Sequence, residues 1–576
     1  MKIVIYQLLV RLFGNRNTKN VFYGSIKENG CGKFNDINDK VLDELKSMGI
    51  THMWYTGVIE HATMTDYPAF GISVDDPDVV KGRAGSPYAI KDYYDVDPDL
   101  ACSVKDRMLE FQQLIARTHN KGLKAIIDFV PNHVARTYKS DCKPKGVKDL
   151  GETDNTKVAF DINNNFYYIP GKEFIAPKDY DPGGENFHHP LKDGYFKEYP
   201  AKASGNDIFS NSPSINDWFE TIKLNYGIDY STGYRYFDPI PDTWHKMLDI
   251  LLYWAGMGID GFRCDMCEMV PTEFWEYATT EVKKQYPHII FMGEAYVLEN
   301  NRKYIAAGFD YLYDKSGLYD LLRGAINGNI GLDRLQHYLH EIVPGIEKNM
   351  VTFLENHDEQ RFASPQFAGL AEKAIPLMTL CATLHTSPVM IYFGQELGAT
   401  GAGATGFSGD DGRTSIFDYT YVPEMVQWAN NGNYNLELLN EKQIALRNFY
   451  SNLLNLCNTE EAIISGKFGN LFESNANGKS AGFNQYKNYA FARYTDKSRL
   501  VIFVTIDEVA PDLYLKLSHE VFCGMNLSED KEYIVETSNK YCITVKGESL
   551  ISDNPNEGLK VSAEGMSAAI FKIIDN

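Results

Sequence analysis

The chain has 576 residues, 44% hydrophobic and 23% charged, with a formal net charge of −21. That length holds about three domains at ~100–200 residues each, and the strong acidity argues against nucleic acid and anionic membranes as partners while suiting an uncharged ligand. No apolar run reaches the ~18 residues of a membrane span, and nine scattered cysteines predict reduced thiols and a cytoplasmic setting, not a disulfide framework.

Met1-Lys2 followed by the apolar residues 3–10 imitates a signal peptide, but Arg11 and Gly14-Asn15-Arg16-Asn17 follow with no small-x-small cleavage site. The segment therefore reads as a first buried strand. Eight apolar runs of strand length recur in the first 400 residues, at 3–7, 51–55, 123–128, 259–264, 289–292, 309–313, 350–353 and 389–393. Their hydrophobicity is largely continuous, as in strands buried on both faces. Helical patterns lie between them. Val41, Leu45 and Met48 form a face closed by Gly49, and Trp244, Leu248, Leu251 and Ala255 form another closed by Gly258. Ser103-Val104-Lys105-Asp106 reads as a capping-box start for a helix carrying Met108, Phe111 and Ile115 and ending at Lys121-Gly122. Eight strand–helix units predict an α/β fold, a (β/α)₈ TIM barrel.

Two segments break the alternation. Residues 134–236 are rich in Gly, Pro, Asp and Tyr and far too long for a loop, so they predict a subdomain inserted after strand three. Its aromatic run (Phe166, Tyr167, Tyr168, Phe174, Tyr180, Phe187 and Tyr195) divides between lining a ligand groove and packing the subdomain. From about residue 460 the helical pattern stops and strands at 489–494, 500–506 and 568–573 predict a C-terminal antiparallel β-sandwich. The expected division is 1–133 and 237–458 for the barrel, 134–236 for the insertion and 459–576 for the sandwich.

The chemistry lies in four stretches: Asp128-Phe129-Val130-Pro131-Asn132-His133, Gly261-Phe262-Arg263-Cys264-Asp265, Gly293-Glu294-Ala295 and Glu355-Asn356-His357-Asp358. Each sits at or just past the end of a predicted strand, the end that faces the catalytic mouth of such a barrel. Singly, an Asp at a strand end caps the next helix more often than it catalyses, and an Arg two residues before an Asp is often a structural ion pair. Jointly they gather carboxylates from separate strands into one cup. Breaking a glycosidic bond with retention needs one carboxylate as nucleophile and one carboxylic acid as proton donor, ~5–5.5 Å apart. A third carboxylate can stabilise charge developing on the sugar ring. An adjacent arginine is expected to hold the nucleophile ionised by lowering its pKa. Cys264 and Cys267 form a C-x-x-C without a partner pair, so Cys264 is expected to be a small buried hydrophobe.

These stretches resemble the four signature regions of glycoside hydrolase family 13, the α-amylase family. Gly85-Ser86-Pro87-Tyr88, Ile391-Tyr392-Phe393-Gly394-Gln395-Glu396 and Asp411-Gly412-Arg413-Thr414 resemble its minor motifs, and the match spans about residues 1–455. The resemblance implies Asp265 as nucleophile, Glu294 as general acid and then base, and Asp358 as transition-state stabiliser. It implies Arg263, His133 and His357 as residues positioning the sugar at the cleavage subsite, with Tyr88 beneath it. The implied substrate is an α-glucan or maltooligosaccharide cut at α-1,4 links; a 4-α-glucanotransferase or an exo-acting α-glucosidase would use the same carboxylates. No cofactor is needed for that chemistry. Many relatives carry a structural calcium, but here the insertion motif reads Pro213-Ser214-Ile215-Asn216, with serine where an aspartate ligand usually stands. Asn132 remains as one candidate ligand, too few alone for an ion that takes six to eight oxygens, and the loop with Asn15, Asn17 and Asn20 after strand one, rich in oxygen donors, is a second candidate site for a structural calcium. Met266-Cys267-Glu268 replaces the residues that usually follow the nucleophile, which puts the leaving-group contacts in question.

Overall fold

The computed structural model describes residues 1–401, 403–510, 512–537 and 542–576. Eight parallel strands form its centre: β1 Val4–Leu9, β2 His52–Thr56, β3 Lys124–Phe129, β4 Gly261–Cys264, β5 Ile290–Gly293, β6 Tyr311–Tyr313, β7 Met350–Val351 and β8 Val389–Tyr392. They pair in the order β7-β6-β5-β4-β3-β2-β1-β8. A parallel bridge between Thr352 and Val389 joins the two ends, which closes the sheet into the (β/α)₈ barrel. Each strand lies on its expected run, displaced by a residue or two at the ends. β1, β4 and β8 are buried at every position, as their unbroken hydrophobicity requires.

The helices follow the expected faces. Helix α1 (Asp39–Ser47) is capped by Asn38, whose side chain accepts from the Lys40 and Val41 amides, and it buries Val41, Leu42 and Leu45. It ends at Gly49, where φ is 102° and a Cβ would lie 2.7 Å from the Leu454 backbone, so only glycine fits. Helix α2 (Arg107–Asn120) starts later than its sequence suggests. A 3₁₀ turn over Val104–Asp106 precedes it, and the Ser103 hydroxyl bonds the Asp106 side chain in place of a helix amide. The Glu110 carboxylate, reaching back to the Cys102 and Ser103 amides at 2.9 and 2.7 Å, fastens that entry instead. Helix α3 (Asp242–Gly256) buries Trp244, Leu248, Leu251 and Ala255, the four residues of its expected face.

The insertion leaves the barrel directly after β3. A short antiparallel ladder pairs His133 with Lys223 and Ala135 with Thr221, stitching its outgoing and returning ends together beside the barrel mouth. Five of the seven aromatic residues singled out in its sequence (Phe166, Tyr167, Tyr168, Phe174 and Phe187) are buried. Tyr180 packs on Phe219, and Tyr195 lies exposed with its hydroxyl on Glu173. None of the seven lines the central pocket, and all but Tyr195 pack the subdomain.

Beyond the barrel, β9 Lys467–Asn470, β10 Asn488–Tyr494, β11 Arg499–Thr505, β12 Asp512–Leu515, β13 Glu532–Thr537, β14 Cys542–Lys546, β15 Leu559–Ser562 and β16 Ser567–Asp575 are all antiparallel. They form a six-stranded sheet, β9-β10-β11-β16-β13-β14, and a β12–β15 pair. Arg493 anchors this sandwich to the barrel through the Leu384 carbonyl at 3.1 Å, while its other terminal nitrogen donates to the Gly466 carbonyl within the C-terminal segment at 2.7 Å. All nine cysteines are free thiols.

Candidate active site

Arg263 organises the mouth of the barrel. It comes from β4, is fully buried, and places one terminal nitrogen 2.8 Å from Asp265 Oδ1 and the other 2.7 Å from Glu294 Oε2. The alternation of β4 sends both Arg263 and Asp265 inward, and Glu294 follows β5 next to it. Asp128, from β3, completes the ring 3.6 Å from Nη1. The faces of Trp54, Tyr88 and Tyr313 surround the guanidinium at 5.4, 5.2 and 5.5 Å, so it is held by aromatic quadrupoles as well as by charge. Asp265 Oδ1 is taken by Arg263, while Oδ2 has no hydrogen-bond partner among the described residues.

The loop after β7 supplies the third carboxylate. Asn356 Oδ1 accepts from the Asp358 and Glu359 amides at 2.9 and 3.0 Å, and this turn aims His357 and Asp358 inward. Gln7 donates to His357 Nδ1 at 2.8 Å, which leaves Nε2 to carry the proton, 2.9 Å from Asp358 Oδ2. Tyr88 stacks on the His357 ring at 5.0 Å and donates to Asp128 Oδ1 at 3.3 Å. His133 tilts against Trp218 at 5.1 Å. All seven residues expected at the site therefore converge, and all but the fully enclosed Arg263 and His357 line a pocket of about 260 Å³.

Charge in this pocket is crowded. Asp265 is pushed well above the usual carboxylate range, first by burial and then by Glu294, Asp358 and Asp128, against the downward pull of Arg263. The arginine acts in the expected direction but does not win, because one cation faces four carboxylates. Burial also acts to raise Asp358, yet His357, Arg263 and Arg413 outweigh it and bring that group below its ordinary value. Burial, then the Lys223 charge, pushes His133 down to about 3, so its imidazole is neutral.

Several pocket residues carried no sequence signal of their own. Lys81 pairs with Glu220 at 2.8 Å, and both line the pocket with Trp218, Tyr296 and Phe417. They come from loops and from the insertion, where no periodicity or spacing marks them. Cys264 is buried, as expected. Cys267 does more than fill space, since its thiol donates to the Glu294 carbonyl at 3.0 Å.

The asparagines raised as calcium donors do not fit that ion. Asn132 Oδ1 accepts from the ammonium of Lys223, which also pairs with Asp207 at 2.7 Å and reaches the Met269 carbonyl at 3.3 Å. A divalent cation there would meet a buried positive charge. Asn15 Oδ1 accepts from the Asn17 amide, Asn17 Oδ1 from the Lys19 amide and Asn20 Oδ1 from Thr420. Ser214 caps a turn through Asp217 at the surface. Among the described residues no cluster of His, Cys, Asp and Glu is arranged for a metal.

A family model for the α-amylase catalytic domain matches residues 7–161 and 239–435, which is the barrel with the start of the insertion. The chain belongs to the α-amylase family. Within that family it is 25% identical over 425 residues to a cyclomaltodextrin glucanotransferase of Geobacillus stearothermophilus, covering 69% of this chain and 50% of that protein. It is 21% identical over 473 residues to α-amylase 2 of Dictyoglomus thermophilum, covering 81% and 65%. The chain thus spans about half to two thirds of the length of these curated relatives. Its fold is that of an α-amylase from Geobacillus thermoleovorans (TM-score 0.61, 17% identity, 100% and 98% of the two chains) and a maltogenic α-amylase from Thermotoga neapolitana (TM-score 0.58, 17% identity, 100% and 99%). Among the described residues no helix is long and apolar enough to cross a membrane.

Proposed function

We propose that the chain is a retaining α-glucan hydrolase acting on α-1,4 links of starch-type oligosaccharides. The observation that carries this is the single guanidinium of Arg263 holding Asp265 and Glu294 on its two terminal nitrogens, with Asp265 Oδ2 unpaired. In this reading Oδ2 attacks the anomeric carbon while Glu294 gives its proton to the departing glycosidic oxygen, and a glycosyl ester forms on Asp265. Glu294, now ionised, takes a proton from water, whose oxygen attacks the same carbon and releases Asp265. Asp358, held ionised by His357 and Arg413, sits where positive charge grows on the ring. The face of Tyr88 provides the platform below it. The same reading divides the chain into barrel (1–133 and 237–458), insertion and sandwich, supported by the ladder at His133–Lys223 and by the change to antiparallel strands after residue 459.

A 4-α-glucanotransferase is the second reading, favoured by the cyclomaltodextrin glucanotransferases among the relatives. Mass analysis of products from maltoheptaose separates the two: only shorter chains mean hydrolysis, and chains longer than the substrate mean transfer. Asp265→Asn and Glu294→Gln are each expected to lower the rate at least ~10³-fold with folding intact, as for groups acting in the transition state. Activity surviving either change would overturn the mechanism.

A further inference from the structure

Glu294 is gripped from two sides. Its Oε2 faces the Arg263 guanidinium at 2.7 Å and accepts the Met266 amide at 2.8 Å. That amide is aimed by an unusual backbone, since Met266 is a non-glycine residue with φ of 41°. With the Met266 N–H directed at Oε2 and the guanidinium charge beside it, a proton on Oε2 would meet a hydrogen and a cation, so it is disfavoured there. The transferable proton of Glu294 therefore sits on Oε1. The partner of Oε1 is the Tyr296 hydroxyl, which donates to it at 2.5 Å.

Tyr296 is itself fastened. Glu268 Oε2 accepts the Tyr296 amide at 2.6 Å and the Val297 amide at 3.0 Å, and Oε1 accepts the Asn300 side chain at 3.3 Å. Glu268 belongs to Met266-Cys267-Glu268, the stretch that departs from the family pattern, and it lies in the turn that also presents the Met266 amide. Tyr296 lines the pocket beside Glu294 and Asp265. One short segment after the nucleophile thus holds both oxygens of the acid, Oε2 directly and Oε1 through Tyr296.

We propose that Tyr296 is a positioning residue for Glu294, set by Glu268, which keeps Oε1 as the oxygen that gives and takes the proton. This rests on Glu294 being the acid and base of the proposed reaction. When Oε1 passes its proton to the leaving oxygen, the Tyr296 O–H donates to the carboxylate left behind. It stabilises that form until Oε1 takes a proton from water, so the hydroxyl keeps its own hydrogen throughout.

The test is Tyr296→Phe, assayed on maltoheptaose across pH, beside Glu268→Ala and the double variant. Loss of the Tyr296 hydrogen bond disfavours the carboxylate form of Glu294 relative to the acid. The alkaline limb of kcat/KM should then move up by ~0.5–1 pH unit and kcat fall ~10-fold, with KM within about twofold. Glu268→Ala should reproduce part of this alone and add less than about twofold in the Tyr296→Phe background. An unmoved alkaline limb, or a rise in KM alone, would make Tyr296 a sugar contact and overturn the proposal; fully additive effects would remove Glu268 from it. If Tyr296→Phe does not accumulate as folded protein, the limb is read in Glu268→Ala, where an unmoved limb overturns the proposal equally. Activity surviving Glu294→Gln would instead defeat the underlying reading, whatever Tyr296→Phe does.

Discussion

Replacing Arg263 by lysine and by glutamine separates charge from geometry at the centre of the site. The guanidinium reaches Asp265 at 2.8 Å and Glu294 at 2.7 Å with different nitrogens, something a lysine's point charge cannot do. Each contact of this charge-assisted kind is worth about 1.5–3 kcal/mol. Arg263→Lys forfeits one, and at 1.36 kcal/mol per decade kcat/KM should fall ~10- to 100-fold. Arg263→Gln forfeits both and should fall ~10²- to 10⁴-fold. Arg263 is also the one strong influence lowering Asp265. Without it the proposed nucleophile ionises only at higher pH, so the acid limb of the profile should move upward in Arg263→Gln. Initial rates on maltoheptaose from pH 4 to 9, with thermal unfolding of each variant as a control, read all of this. An Arg263→Lys variant within about threefold of the parent, or an acid limb that moves down, would refute the reasoning.

Other outcomes follow from the buried charges. Lys223 supplies the cation at Asn132, so treatment with a chelator should leave activity and the unfolding temperature unchanged; Lys223→Met should lower that temperature, and added calcium should not restore it. A chelator that inactivates the enzyme would contradict this. Burial, with nearby Lys2 and Arg493 in one case and Lys223 in the other, pushes His385 and His133 down to about 3, and burial pushes His52 down to about 4. Their folded pKa values lie below the unfolded value of ~6.5, so below pH 6.5 the unfolded chain binds protons that the folded chain does not. Stability is therefore lost as pH falls through that window, by ~1.4 kcal/mol per group at pH 5.5. Melting curves between pH 7 and 5 should show the loss, and His385→Gln should flatten it; a melting temperature independent of pH in both proteins would contradict the assignment.

Much of the barrel was readable because strands buried on both faces have no freedom to alternate: each of the eight apolar runs overlaps an observed strand. The carboxylates of the proposed mechanism were readable for a related reason, as strand ends fix where Arg263, Asp265 and Glu294 point. Tyr296, Trp218 and Lys81 were not, because loops and the insertion have no period that links position to direction. Their roles depend on which side chain meets them across the pocket. The net rise of Asp265 was also hidden, since it depends on four carboxylates sharing one guanidinium in three dimensions. The start of α2 shows the limit of local motifs: Ser103 had the right spacing for a capping box, but the Glu110 carboxylate took the amides first.

The most direct test of the central claim, a double displacement through Asp265 and Glu294, is the configuration of the first product. Proton nuclear magnetic resonance of maltoheptaose hydrolysis, recorded before the anomers equilibrate, should show the α anomer of the newly formed reducing end appearing first. The β anomer appearing first would mean a single displacement by water, and Asp265 could not then be the nucleophile.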